Sequence, residues 1–198
     1  MFVDTLVRQK EAMFVQPPTK IWWCYSILQP FMTELVKDDP SVELHQGFDP
    51  DIYKNHTSET HGMIILDDLM SDETIYKHLS DLFTKYSRHL GLSCVQITQN
   101  PYFKGTSSAV RYNRDILSNA TELVIFRNLR DSVSSLTLGK QAFPSRYKFY
   151  VSVLKDAHSG GAHSYLYLSF HPENRDDLIL RSHIFYMLET PVIYLEKT

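Results

Sequence analysis

The sequence is short of the residues that build special architectures. Two cysteines in 198 residues cannot make a disulfide framework, and Cys24 and Cys94 each sit in an apolar strand-like run. Such positions suit small core residues in a reducing compartment. No apolar run approaches the roughly 20 residues that a bilayer-spanning helix needs. The opening stretch MFVDTLVRQK carries Asp4 where a secretory leader would need an apolar core, so the expectation is an intracellular chain with no membrane partner. Internal repeats and low-complexity tracts are also missing, which excludes solenoids and disordered linkers.

What remains is ordinary globular composition, 43% hydrophobic, 13% aromatic and 22% charged. The length suits one domain, and a single domain over residues 1–198 is expected. Net charge is only −3, but it is unevenly spread. Residues 101–155 hold nine Lys and Arg against three Asp and Glu, while the rest holds eleven against twenty. A basic segment in an acidic protein can face a polyanion; a solvated surface is the commoner meaning.

Seven apolar runs read as strands: KIWWCYS, VELHQGF, GMIILDD, LSCVQITQN, TELVIFRN, KFYVSVLKD and SYLYLSF. Between the third and fourth, Ile75, Leu79, Leu82, Phe83, Tyr86 and Leu90 recur at helical spacing, with Ser71 placed as an N-cap. Shorter helices are expected at 30–38, 107–118 and 131–142, and Phe2, Val3, Leu6, Val7, Met13 and Phe14 form one face of a helix at the start. Strands of nearly continuous apolar character alternating with helices predict an α/β fold, a mostly parallel sheet with helices on both faces. The runs at 148–155 and 164–170, joined by AHSGGAH, are expected to form a C-terminal edge hairpin.

The third run ends on two adjacent carboxylates, Asp67 and Asp68. A carboxylate buried without a partner costs several kcal/mol, so the pair belongs at a solvated strand end or beside a cation. An apolar strand that ends in Asp-Asp and runs into a helix has the form of a Walker B element. In that reading Asp67 faces the water shell of Mg²⁺ and Asp68 the attacking water. Acidic residues capping the next helix are the ordinary alternative. One strand later Gln99 and Asn100 stand at the carboxyl end of the run, the end at which open α/β sheets bind ligands. There an amide can sense a γ-phosphate, or simply tie a loop. Arg127 and Arg130 follow the next run, where a guanidinium serves as an arginine finger or pairs with a neighbour such as Asp131.

Taken in order, WCYSILQP, IILDDLM, DLFTKYSRH, LSCVQITQNPYFKG, VIFRNLRD and KFYVSVLKDA resemble the genome-packaging ATPases of Polinton/Maverick elements and adintovirus-like viruses, P-loop motors of the FtsK/HerA group. The resemblance runs from about residue 2 to Phe185; Tyr86, Leu90 and ILQP depart from it. It implies a P-loop NTPase-like sheet, ATP and Mg²⁺ as cofactors, and a homo-oligomeric ring that drives double-stranded DNA into a capsid. Capsid or portal components would be partners, and the host nucleus or cytoplasm the place of assembly. It also implies Asp67 on Mg²⁺, Asp68 polarising water, Gln99 reading the γ-phosphate and Arg130 as a candidate finger.

Such relatives carry G-x-x-x-x-G-K-[ST] just before a helix like FVDTLV, and this chain has none. Gly139-Lys140 lacks the leading glycine and the following Ser or Thr, and is rejected. The expectation is a chain that starts beyond the first strand and phosphate loop and therefore binds ATP poorly. A decayed or repurposed assembly subunit with an ATPase fold, and a helicase-like motor, are the competing readings. In NPYFKGTSSAVRYNR, the cations Lys104, Arg111 and Arg114 stand among aromatics, a mixture that can line a DNA channel or form a basic helix face. His56, His61, His158 and His163 lack the spacing of a zinc site, and the alternation of a strand sends Trp22 and Trp23 to opposite faces as core residues.

Overall fold

In the computed structural model, which describes residues 2–69, 75–99 and 114–197, the first four apolar runs pair as parallel strands. They are β1 (Lys20–Tyr25), β2 (Val42–Gln46), β3 (Gly62–Asp67) and β4 (Leu92–Ile97), in the order β2-β1-β3-β4. Their registers are in step. Tyr25 lies opposite both Gln46 and Asp67, and Asp67 lies opposite Ile97, so the four carboxyl ends reach a common rim.

Continuous apolar strands need cover on both faces, and they have it. On one face Ile21, Trp23, Met63 and Ile65 pack with Val7 of α1 (Phe2–Arg8) and with Met32 and Leu35 of α3 (Pro30–Asp38). Between those helices, α2 (Lys10–Met13) is tied down by Lys10 Nζ, which donates to Asp39 Oδ2 at 2.6 Å and to Ser41 Oγ at 2.7 Å. On the other face Trp22, Cys24, Ile64 and Leu66 pack with Leu79, Leu82 and Ile116. Leu79 is in α4 (Ile75–Asp81) and Leu82 opens a π-helical turn, Leu82–Tyr86, that runs into α5 (Ser87–Leu90). Ile116 belongs to α6, helical over 114–119. The π turn shifts the phase of the helix expected there, which leaves Tyr86 44% exposed. Gly91 ends α5 at φ 62, a left-handed position that glycine takes without a Cβ penalty. Ser71 lies outside the described residues. Both thiols are free, Cys24 buried and Cys94 half-buried, and burial pushes each up to about 12.

Contacts divide the chain into two compact units, Met1–Asn119 and Ala120–Thr198. The second has its own antiparallel sheet, β5 (Glu122–Phe126), β6 (Tyr165–Ser169), β7 (Leu180–Ser182) and β8 (Val192–Ile193), in that order. TELVIFRN and SYLYLSF are thus strands as expected, but they leave the parallel sheet and pair with each other antiparallel. Leu166 and Leu168 join the core of this unit, and Tyr167 between them is only half-buried.

The expected C-terminal edge hairpin is corrected. KFYVSVLKD lies in a helix, α8 (Tyr147–Ala157), whose buried residues Tyr150, Val153, Leu154 and Ala157 follow helical spacing. Together with α7 (Val133–Ala142) it covers the sheet, burying Phe143, Leu166, Leu168 and Leu180. The two helices meet where Gly139 receives the ring of Tyr150, a contact a Cβ would occupy. No helix among the described residues is long and apolar enough to cross a membrane.

Candidate functional site

The apolar run of β3 carries five buried residues and then surfaces at half-buried Asp67. β3 is an inner strand, and its ladder continues past its last side chain on both sides. Ser26 N–H donates to the Asp67 carbonyl, and Asp68 N–H donates to the Ile97 carbonyl, each at 3.3 Å. Asp68 itself is exposed with φ 52, a left-handed conformation uncommon outside glycine and better tolerated by aspartate than by most residues. Strained backbone of this kind concentrates at binding and catalytic sites.

Asp67 Oδ2 accepts a hydrogen bond from Trp23 Nε1 at 3.3 Å. Burial holds the Asp67 carboxyl above its ordinary value; the Trp23 bond opposes that shift and the charge of Asp68 adds to it. The sign follows for stability. A carboxyl raised in the folded state favours folding most when protonated, and that contribution fades as pH rises from the unfolded value of 3.8 through the higher folded one. Asp67→Asn is therefore expected to keep or increase stability at neutral pH and to remove this part of the pH slope. Urea midpoints measured from acid to neutrality check it.

Gln99 is exposed, two residues beyond the end of β4. The structure thus brings Asp67, Asp68 and Gln99 to the carboxyl ends of adjacent strands. Arg130 belongs to the second unit, exposed in a turn where Asn128 Oδ1 accepts the backbone N–H of Arg130 at 2.9 Å. The carboxylate of Asp131 accepts from Ser134. Arg114 is exposed in α6, while Lys104, Arg111 and Asn100 lie outside the described residues. Three of the four histidines have backbone partners: His56 meets Thr60 O, His61 meets Gln16 O, and His158 meets Ile125 O.

Two features were not legible as site elements. One is Trp23, whose link to Asp67 depends on the pairing of β1 with β3. The other is a cavity of about 430 Å³ lined by Phe14, His61, Ser87, Arg88 and Ser93. It opens at the amino ends of β3 and β4, across the sheet from the doublet, so it does not belong to the rim site.

As a metal site the rim is incomplete by itself. No group of three or more His, Cys, Asp or Glu suited to a metal occurs among the described residues. A cation held here by Asp67 and Asp68 would take its other ligands from water and phosphate, the usual habit of Mg²⁺. The donor chemistry therefore fits the metal side of a Mg²⁺–triphosphate site. A G-x-x-x-x-G-K-[ST] loop, which would hold the phosphates, does not occur in the sequence. Comparison with family models, curated proteins and solved structures finds no match to this chain.

Proposed function

We propose that this chain is the core of a DNA-translocating ATPase of the genome-packaging kind. Asp67 stands on the Mg²⁺ side, Asp68 beside the attacking water and Gln99 near the γ-phosphate, while Arg130 is the candidate finger toward a neighbouring subunit of a homo-oligomeric ring. The observation that carries the reading is the rim. An inner parallel strand ends in a half-buried carboxylate followed by a left-handed Asp68, next to the strand that leads to Gln99. In open α/β sheets that edge is where ligands bind. The basic excess of residues 101–155 supports double-stranded DNA as the substrate.

Isothermal titration with ATP and Mg²⁺ tests the reading. Binding is expected to be weaker than submicromolar, to require Mg²⁺, and to fall in Asp67→Ala and Gln99→Ala. Binding that neither substitution changes would overturn the assignment, and submicromolar affinity would overturn the expectation that the phosphate side is lacking. The missing loop motif favours one second reading, a repurposed ATPase fold that serves as an assembly subunit; complete indifference to nucleotide would select it.

The DNA part has its own test. Each phosphate contact contributes about −0.9 to the slope of log affinity against log salt. Replacing Lys104, Arg111 and Arg114 together by glutamine should flatten the slope for duplex DNA by up to about three. An unchanged slope removes these cations from the DNA path.

A further inference from the structure

Trp23 has a surrounding that packing alone does not explain. It is 1% exposed, in a cluster with Met32, Leu35, Met63 and Ile65, and its ring meets Phe31 edge-on at 5.7 Å. Inside that apolar setting its Nε1–H reaches Asp67 Oδ2. Register explains how. Trp23 pairs with Ile65 and Tyr25 with Asp67, so Trp23 and Asp67 are diagonal neighbours on one face, a span that a large side chain covers. Trp22, next in the chain, joins the other cluster and meets Lys20 and His56 instead.

An indole N–H only donates. It holds one carboxylate oxygen and cannot compete for a cation with the other. Oδ1 takes no hydrogen bond among the described residues. The indole is fixed by its packing, so the donor is in place before any ligand arrives. Groups that orient a metal-binding side chain in this way matter nearly as much as the ligand itself.

We propose that Trp23 is a positioning residue of this site. Its N–H fixes the Asp67 carboxylate through Oδ2 and leaves Oδ1 for the hydration shell of a divalent cation. The inference rests on the reading of Asp67 as the metal-side residue. Trp23 itself touches neither cation nor nucleotide and acts through Asp67.

The test uses the ¹⁵N-labelled full chain titrated with Mn²⁺ in the presence of excess ATP, with the indole N–H signals of Trp23 and Trp22 as probe and internal control. Mn²⁺ is expected to broaden the Trp23 signal before the Trp22 signal. Asp67→Asn keeps an acceptor for the indole, so it should leave the Trp23 signal in a hydrogen-bonded position and abolish the preferential broadening. Trp23→Phe should lower the Mn²⁺ affinity about tenfold, read from the backbone amides of Asp67 and Asp68. Because Trp23→Phe also opens space in the core, benzothienylalanine at position 23 provides a second variant. It replaces the N–H by sulfur at nearly constant shape and should give the same loss.

If Asp67→Asn abolishes the broadening while both changes at position 23 leave affinity unaltered, Trp23 is only a satisfied core indole and the inference fails alone. If Mn²⁺ does not favour the Trp23 signal in the unaltered chain, the metal-side reading of Asp67 fails, and the positioning role with it.

Discussion

Gly139→Ala is expected to destabilise the Ala120–Thr198 unit by about 2 kcal/mol, against the usual direction of such a change in a helix. Alanine in a helix interior is favoured over glycine by about 1 kcal/mol, so propensity alone predicts a gain. Packing decides otherwise. A Cβ at position 139 would fall on the ring of Tyr150, which is fully buried. The ring cannot step aside cheaply: it stacks on Phe143 at 5.4 Å, and its hydroxyl donates to Ser135 O at 2.9 Å. Overpacking of this kind costs about 3 kcal/mol at the upper end of the usual range, which outweighs the helix term. Hydrogen exchange at the β6 amides reads the effect in the right unit. Gly139→Ala and Tyr150→Leu together should cost less than the sum of the two single changes, since the two residues share one space. A single Gly139→Ala protein as stable as the parent would show that Tyr150 does not fill this gap.

The same glycine shows where reading the sequence stops. In the sequence it stands before Lys140 as a fragment of a phosphate-binding motif, and its actual reason, the close approach of α8, is a fact about tertiary contact. KFYVSVLKD failed for a related reason. Tyr147, Phe149, Val151 and Val153 alternate as in a strand, while Tyr150, Val153, Leu154 and Ala157 repeat as in a helix. Both periods fit, and aromatic and β-branched residues tilt the choice toward strand. Burial selects the second set. β7 and β8, three and two residues long, are too short to show any period.

The parallel sheet was legible because inner strands covered on both faces must be apolar almost throughout, and GMIILD and KIWWCY are. The acid doublet was legible because charge at the end of such a run is costly unless it is solvated or paired. Its indole partner was not, because no local pattern links residue 23 to residue 67. Only the pairing of β1 with β3 does that. Nor could the run around Val124 be told from a member of the parallel sheet, since its apolar residues are continuous and its pairing direction is set by the connections.

Leu66→Ala should cost about 2–5 kcal/mol, the range for deleting a buried leucine, with the position in that range set by how far the space collapses. Collapse is hard here. Leu66 is 1% exposed and sits on an inner strand between Cys24 and Gln96, under Leu79, Leu82 and Ile116. Ile97→Ala, at a half-buried position on β4, should cost clearly less. The comparison that matters is with the next residue. Asp67→Asn is expected to cost nothing at neutral pH or to stabilise, because burial and the charge of Asp68 both disfavour the ionised carboxyl. Neighbouring side chains on one strand would then have opposite relations to the fold: Leu66 holds the strand in place, and Asp67 is carried there at a cost to stability. Under the proposed function, Asp67 is kept for its chemistry rather than for stability. Denaturant unfolding of the two variants side by side decides it, and an Asp67→Asn protein as unstable as Leu66→Ala would return the doublet to an ordinary structural role.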